Sequence, residues 1–262
     1  MRARIYLIVC RFDVVEEKIM DGSWDSEFDD FRSDFLESQS KDEDFNLLSQ
    51  TWLQGAMDKK FTYQFDWLGI PIIQMPTDIL VFQDIVWKTK PDLIIETGVA
   101  RGGSVNFWAS MQDLCGIDGR VIGIDIDIRE HAREAISHSK YSDKITLIES
   151  NSVDTSISSK LEMYTPNFKN IMVVLDSNHT HEHVYQELLI YSHIVSSGCY
   201  LIVLDTMTEF IRKPLDRQWG PGDNPYTAVQ QFMLQNEDFT LDLAYEKRSL
   251  LTLAPSGFWR KN

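Results

Sequence analysis

Four apolar runs in this chain each close on an acid, where a parallel strand would end. Glu96 follows Leu93-Ile94-Ile95, Asp125 follows Val121-Ile122-Gly123-Ile124, Asp176 follows Ile171–Leu175, and Asp205 follows Tyr200–Leu204. Carboxylates gathered at one rim can accept from hydroxyl and ammonium groups or hold a hard divalent cation. His179 stands three residues beyond Asp176, so an imidazole able to take a proton from a hydroxyl belongs to the same rim. The first acid runs into Thr97-Gly98-Val99-Ala100-Arg101-Gly102-Gly103-Ser104, a glycine-bearing turn that lets backbone approach a nucleotide-type ligand.

The spacing of that turn narrows the ligand. A dinucleotide loop reads G-x-G-x-x-G, with a ribose-binding acid about 20 residues on. Here the glycines fall at 98, 102 and 103, and Asp125 comes 27 residues after Gly98. The pyrophosphate cradle is missing, and an acid directly before the loop suits an ammonium-bearing ligand. S-adenosylmethionine carries an ammonium, a sulfonium, a carboxylate and a ribose diol. Glu96 and the Gly98–Ser104 loop are therefore expected to hold its methionine part, Asp125 to accept from the ribose diol, and Glu149–Asp154, with Ser152, to border the adenine. The alternative, that Glu96 and Asp125 are plain strand-end acids, stays open at this point.

Asp176 and Asp205 are expected to bind Mg²⁺, a cation that prefers carboxylate oxygen, with His179 as the base. His179, His181 and Asp176 also have the composition of a two-histidine, one-carboxylate iron site, although a strand end joined to a helix start strains joint ligation. His183 reads as a solvated or supporting histidine, and His131, His138 and His193 as helix-surface residues.

The elements that must position these groups follow from periodicity. Strands are expected at 92–96, 121–125, 145–149, 171–175 and 200–205, with helices over about 128–138 and 181–192 between them. Continuous apolar strands separated by helices imply an α/β fold with a mostly parallel, doubly wound sheet, whose ligands collect at the carboxyl ends of the strands. Thr77 or Asp78 is expected to cap a helix running through Trp87. Residues 45–60 read as a helix with Phe45, Leu48, Trp52 and Met57 near one face.

The net charge of −15 argues against a nucleic-acid partner, which needs a basic footprint. Thirteen of the acids lie between Asp13 and Asp44 against three basic residues, so this stretch reads as a solvated, partly helical arm. Phe28, Phe31 and Phe35 would form an apolar stripe along it. Cys10, Cys115 and Cys199 are scattered, which fits a reducing, cytoplasmic setting and no disulfide frame. The opening Met1–Cys10 run is too short to span a bilayer and lacks a signal-peptide cleavage site; it reads as an extra edge strand or as sequence upstream of a true start at Met20.

Taken together, these motifs resemble the cephalosporin hydroxylase family, whose members include S-adenosylmethionine- and Mg²⁺-dependent O-methyltransferases of rhamnosyl and macrolide sugars. The resemblance spans roughly residues 60–262. It rests on Glu96-Thr97-Gly98 with Arg101–Ser104, on Gly123-Ile124-Asp125, on Leu175–Val184, on Gly220–Pro225 with Ala228, Val229 and Phe232, and on Leu251–Phe258.

The resemblance implies a Rossmann-like class I methyltransferase fold over 61–262, preceded by an acidic, largely helical arm over 1–60. It implies cofactor contacts from Glu96, Thr97, Gly98, Arg101, Gly102, Ser104, Asp125, Ser152 and Asp176, metal ligands Asp176 and Asp205, and His179 as the base. The family's sugar methyltransferases tend to carry Glu-Asp where this chain has Leu204-Asp205. The metal is thus expected to bind more weakly, to recruit water or Glu209, or to be lost. The expected function is O-methylation of a sugar or other small-molecule or glycolipid hydroxyl; an iron-dependent hydroxylase and a non-catalytic member are the alternatives. The Gly220–Pro225 loop reads as a lid over the acceptor, with Trp219 and Tyr226 against a sugar face, or as a structural loop. A homo-oligomer without membrane span completes the expectations.

Overall fold

The strand expectations resolve into one seven-stranded sheet in a computed structural model that describes residues 25–212 and 217–262. The expected edge strand near the start of the chain and the question of Met20 lie outside the described residues. Strands β3 (Leu93–Thr97), β4 (Arg120–Asp125), β5 (Ile145–Glu149), β6 (Ile171–Leu175) and β7 (Tyr200–Val203) run parallel, beside β8 (Phe239–Leu241) and β9 (Phe258–Lys261), in the order β5-β4-β3-β6-β7-β9-β8. The last two pair antiparallel at the edge. Both are short, and β9 mixes charge with aromatics, so neither forms an apolar run. The small hairpin β1 (Phe65–Trp67) and β2 (Ile70–Ile72) lies outside this sheet.

β3 and β6 are buried along their whole length because both faces are covered. On one face Ile94, Met172 and Val174 pack with Phe82, Ile85, Phe107 and Trp108 of helices α3 (Pro76–Thr89) and α4 (Gly103–Leu114). On the other, Leu93, Ile95, Val173 and Leu175 pack with Ile157, Leu188 and Val229. These come from α6 (Ser156–Glu162), α7 (His181–Tyr191) and α8 (Pro225–Met233). α5 (Glu130–Ser137) and α9 (Leu243–Arg248) join the first face, through Ile136 and Tyr245. The chain passes from β3 to β4 on one side and returns to β6 on the other. The crevice between the carboxyl ends of β3 and β6 is therefore the switch point where such sheets bind ligands.

The chain divides into a first unit ending at Glu43 and a second running from Asp44 to Asn262. In the first, α1 (Ser26–Lys41) is capped by Asp25, and Phe28, Phe31 and Phe35 stack along one face while staying more than half exposed. In the second, α2 (Glu43–Asp58) buries Ser49, Leu53 and Ala56, not Phe45, Leu48 and Trp52. Leu53 and Met57 meet a pocket of Met75, Met207 and Leu253, and that pocket decides the buried face.

Candidate active site

Backbone hydrogen bonds join the strand ends just where the acids stand. The Asp176 amide donates to Thr97 O at 2.9 Å, Gly98 N donates to Ile124 O at 2.7 Å, and Leu204 N donates to Leu175 O at 3.0 Å. These bonds lock the ends of β3, β4, β6 and β7 together. Gly98 has φ 91°, and a Cβ there would overlap the backbone carbonyl of Asp176. The glycine is thus required by the approach of two strands as well as by its conformation.

Asp205 also lies in the left-handed region, at φ 54°, which an aspartate tolerates better than most residues. That turn ends β7 at Val203, two residues short of the expected strand, and releases the Asp205 side chain toward His179. His179 Nε2 lies 3.1 Å from Asp205 Oδ2. One ligand atom from each of Asp176, His179 and Asp205 lies within 4.8 Å of the other two.

These three groups share a cavity of about 580 Å³ with Gly98, Asp125 and Ser152, so the residues expected to hold metal and proton line one space with part of the set expected to hold the cofactor. Burial, then the neighbouring Asp205, Glu96 and Glu187 carboxylates, push Asp176 well above the usual carboxylate range, while Gln74 opposes the rise by donating from Nε2 to Oδ2 at 3.0 Å. Converging carboxylates whose mutual repulsion a cation would relieve are the chemistry of a divalent-metal site, and Mg²⁺ needs only one or two of them. The residues fit such an ion. Leu204 is 1% exposed and packs in the core, and Glu209 Oε2 is engaged by Gly222 N at 2.8 Å and by Asn224 Nδ2, so neither joins the cluster.

Other expected site residues take supporting positions. Glu96 is fully buried beneath the loop and does not line the cavity; its carboxylate accepts from Trp108 Nε1 at 2.9 Å and Ser104 Oγ at 2.7 Å. Burial raises it to about 7 against those two bonds. Asp125 does line the cavity, but it also anchors the loop, accepting from Val99 N and Ala100 N at 2.8 and 3.1 Å on one oxygen and from Asp127 N at 3.1 Å on the other. With three of roughly four acceptor positions used, it keeps room for one further hydroxyl. Thr97 is buried and receives the Asp176 amide, Arg101 lies outside against His131, and Gly102 sits over Ile136.

Both ring nitrogens of His181 face α8, toward Thr227 Oγ1 at 2.8 Å and Gln231 Oε1 at 3.1 Å. The iron-site combination of His179, His181 and Asp176 is therefore not assembled. His183 is more than a solvated histidine: it lines the cavity, with Nε2 at 2.9 Å from Ser152 Oγ and 3.2 Å from Ser177 Oγ, and Ser177 donates to the buried Glu187.

The Gly220–Pro225 loop is pinned by the Gly220–Asp223 pair and by the buried Asn224, which caps α8, so it is a brace more than a lid. Trp219 reaches the cavity and meets His179 edge-on at 5.0 Å, whereas Tyr226 meets Phe210 edge-on. Gln74, Lys60 and Tyr63 enter the site from segments on which no motif search settles, because the β1–β2 hairpin and the turn after α2 bring them in.

Comparison with known proteins agrees with this fold. The chain is 28% identical over 197 residues to the rhamnosyl O-methyltransferase of Mycobacterium leprae, covering 73% of this chain and 81% of that protein. It is 27% identical over 199 residues to the same-named protein of Mycobacterium tuberculosis, covering 75% and 78%. Among solved structures, an apo form of CmcI superposes with a TM-score of 0.57 at 22% identity over 76% of each chain. A Mg-SAM form of CmcI superposes with a TM-score of 0.52 at 22% identity, covering 76% and 77%. A family model described as Rhamnosyl O-methyltransferase/CmcI matches residues 59–262, and the chain belongs to that family.

Proposed function

We propose that this protein is an S-adenosylmethionine-dependent, Mg²⁺-assisted O-methyltransferase acting on a sugar hydroxyl. The observation that carries the reading is that Asp176, His179 and Asp205 share one cavity with Gly98 and Asp125. The family membership and the names of the rhamnosyl O-methyltransferase relatives support it, as does the agreement in fold with the Mg-SAM form of CmcI.

When bound, S-adenosylmethionine supplies an electrophilic methyl group, and a divalent cation lowers the pKa of a nearby hydroxyl. Asp176 and Asp205 would hold the cation; Gly98, Asp125 and Ser152 would border the donor. His179 is oriented by Asp205. When Nε2–H is donated to Asp205, the lone pair of a neutral imidazole resides on Nδ1. Nδ1 would then take the hydroxyl proton as the acceptor oxygen receives the methyl group that bound S-adenosylmethionine would supply. Asp205 stabilises the resulting imidazolium, and Trp219 fixes the ring from its edge. The products are the methyl ether and S-adenosylhomocysteine, and most of the rate comes from positioning.

No helix among the described residues is long and apolar enough to cross a membrane. The proposal extends to a homo-oligomer in the reducing cytoplasm, where the free thiols Cys115 and Cys199 stay reduced. His179→Ala should lower kcat for methyl transfer by about 10²–10⁴-fold while calorimetric affinity for S-adenosylmethionine is retained. Unchanged turnover in that variant, or no binding of S-adenosylmethionine by the wild type, would overturn the proposal.

A further inference from the structure

The acceptor side of the cavity is charged differently from the rest of the molecule. In a chain of net charge −15, two cations line this space, Lys60 and Arg217. Among the described residues neither pairs with a carboxylate, whereas nearby Arg212 pairs with Asp58 at 2.8 Å. Both stand on the β7 flank. Lys60 follows α2, whose Met57 packs with Met207 and Leu253 beyond the end of β7, and Arg217 lies on the segment leading from there to α8. Asp125, the ribose-side acid, ends β4 on the opposite flank. The cations therefore face the region left for the acceptor.

Arg217 is also tied geometrically to the base. Its guanidinium carbon lies 5.1 Å from the Trp219 ring centre, and that ring lies 5.0 Å from His179. Through their shared neighbour Trp219 the two side chains lie within about 10 Å of each other, a span that one substituted pyranose can bridge. The acid cluster at the centre repels anions, so an uncharged sugar would gain nothing from two unpaired cations at the rim, while an anionic one would need them.

We propose that the acceptor is an anionic sugar, carrying a carboxylate or phosphate about one ring away from the methylated hydroxyl, and that Arg217 and Lys60 bind that group. This rests on the methyltransferase reading above.

The test measures binding of three probes to the S-adenosylhomocysteine-loaded protein by saturation-transfer NMR: methyl glucoside, methyl glucuronoside and glucose 1-phosphate. Wild type should bind at least one anionic probe roughly tenfold more tightly than the neutral one, as two partly exposed ion pairs allow, and added salt should erode the difference. The better anion identifies the source of the charge. The double variant Arg217→Gln with Lys60→Gln should bind all three alike while keeping its affinity for S-adenosylhomocysteine. Anionic probes that bind no better than the neutral one, or a preference that survives the double variant, would overturn the inference alone. Failure of the wild type to bind S-adenosylhomocysteine would remove the function reading and this inference with it.

Discussion

Asp78 shows what a carboxylate contributes when it serves the fold and not the reaction. It is fully buried, accepts from Leu253 N at 2.8 Å through Oδ2, and ties the start of α3 to the segment before β9. Burial pushes it from 3.8 to about 7, against the Leu253 and Thr252 bonds that favour the charged form. The folded protein therefore keeps a proton that the unfolded chain releases. Its contribution is complete below about pH 3.8 and is lost as the pH rises through about 7, a difference on the order of 4 kcal/mol. Asp78→Asn keeps an oxygen for the Leu253 amide but cannot ionise. Its melting temperature should fall less steeply between pH 4 and 7 than that of the wild type; equal slopes would contradict the assignment.

Among elements, the joint between β3 and β6 is the most demanding. Gly98 combines a φ of 91° with a backbone neighbour, the Asp176 carbonyl, that cannot move without displacing the acid beside it. Gly69, at φ 83° in the β1–β2 turn, has open space around its Cα. Gly69→Ala should cost about 1–2 kcal/mol, the price of a left-handed alanine. Gly98→Ala adds overpacking to that strain, should cost about 3 kcal/mol or more, and should abolish binding of S-adenosylmethionine. Urea unfolding of both variants measures the contrast, and comparable losses would show that the strand approach is not what requires Gly98.

At the scale of the molecule, the acidic start of the chain and the catalytic layer are separate units, and the division falls at Asp44. Leu53 and Met57 fill the pocket of Met75, Met207 and Leu253, while Met57 and Lys60 line the cavity itself. We propose that the catalytic domain begins with α2. A chain starting at Asp44 should melt cooperatively within a few degrees of the full-length protein and bind S-adenosylmethionine equally well. One starting at residue 61 should lose about 2–5 kcal/mol, the cost of emptying a core position such as that of Leu53, and should lose acceptor binding first. Indistinguishable melts for the two truncated chains would return the boundary to residue 61.

Local pattern alone determined a good deal. The five parallel strands were legible because strands buried on both faces must be apolar throughout, and three of the acids closing them, Asp125, Asp176 and Asp205, line the cavity. Asp176 and His179 were legible because three residues separate them. The meeting of His179 with Asp205 was not, since it depends on a left-handed turn after Val203 that no residue type announces. Nor could sequence reveal that Glu96 faces Trp108 and Ser104 from beneath the loop, that both nitrogens of His181 turn to α8, or that Lys60 and Tyr63 complete the walls. Periodicity records which face of one element is dry; only the packed fold brings side chains distant in the chain to one point, and there the chemistry of this protein is set.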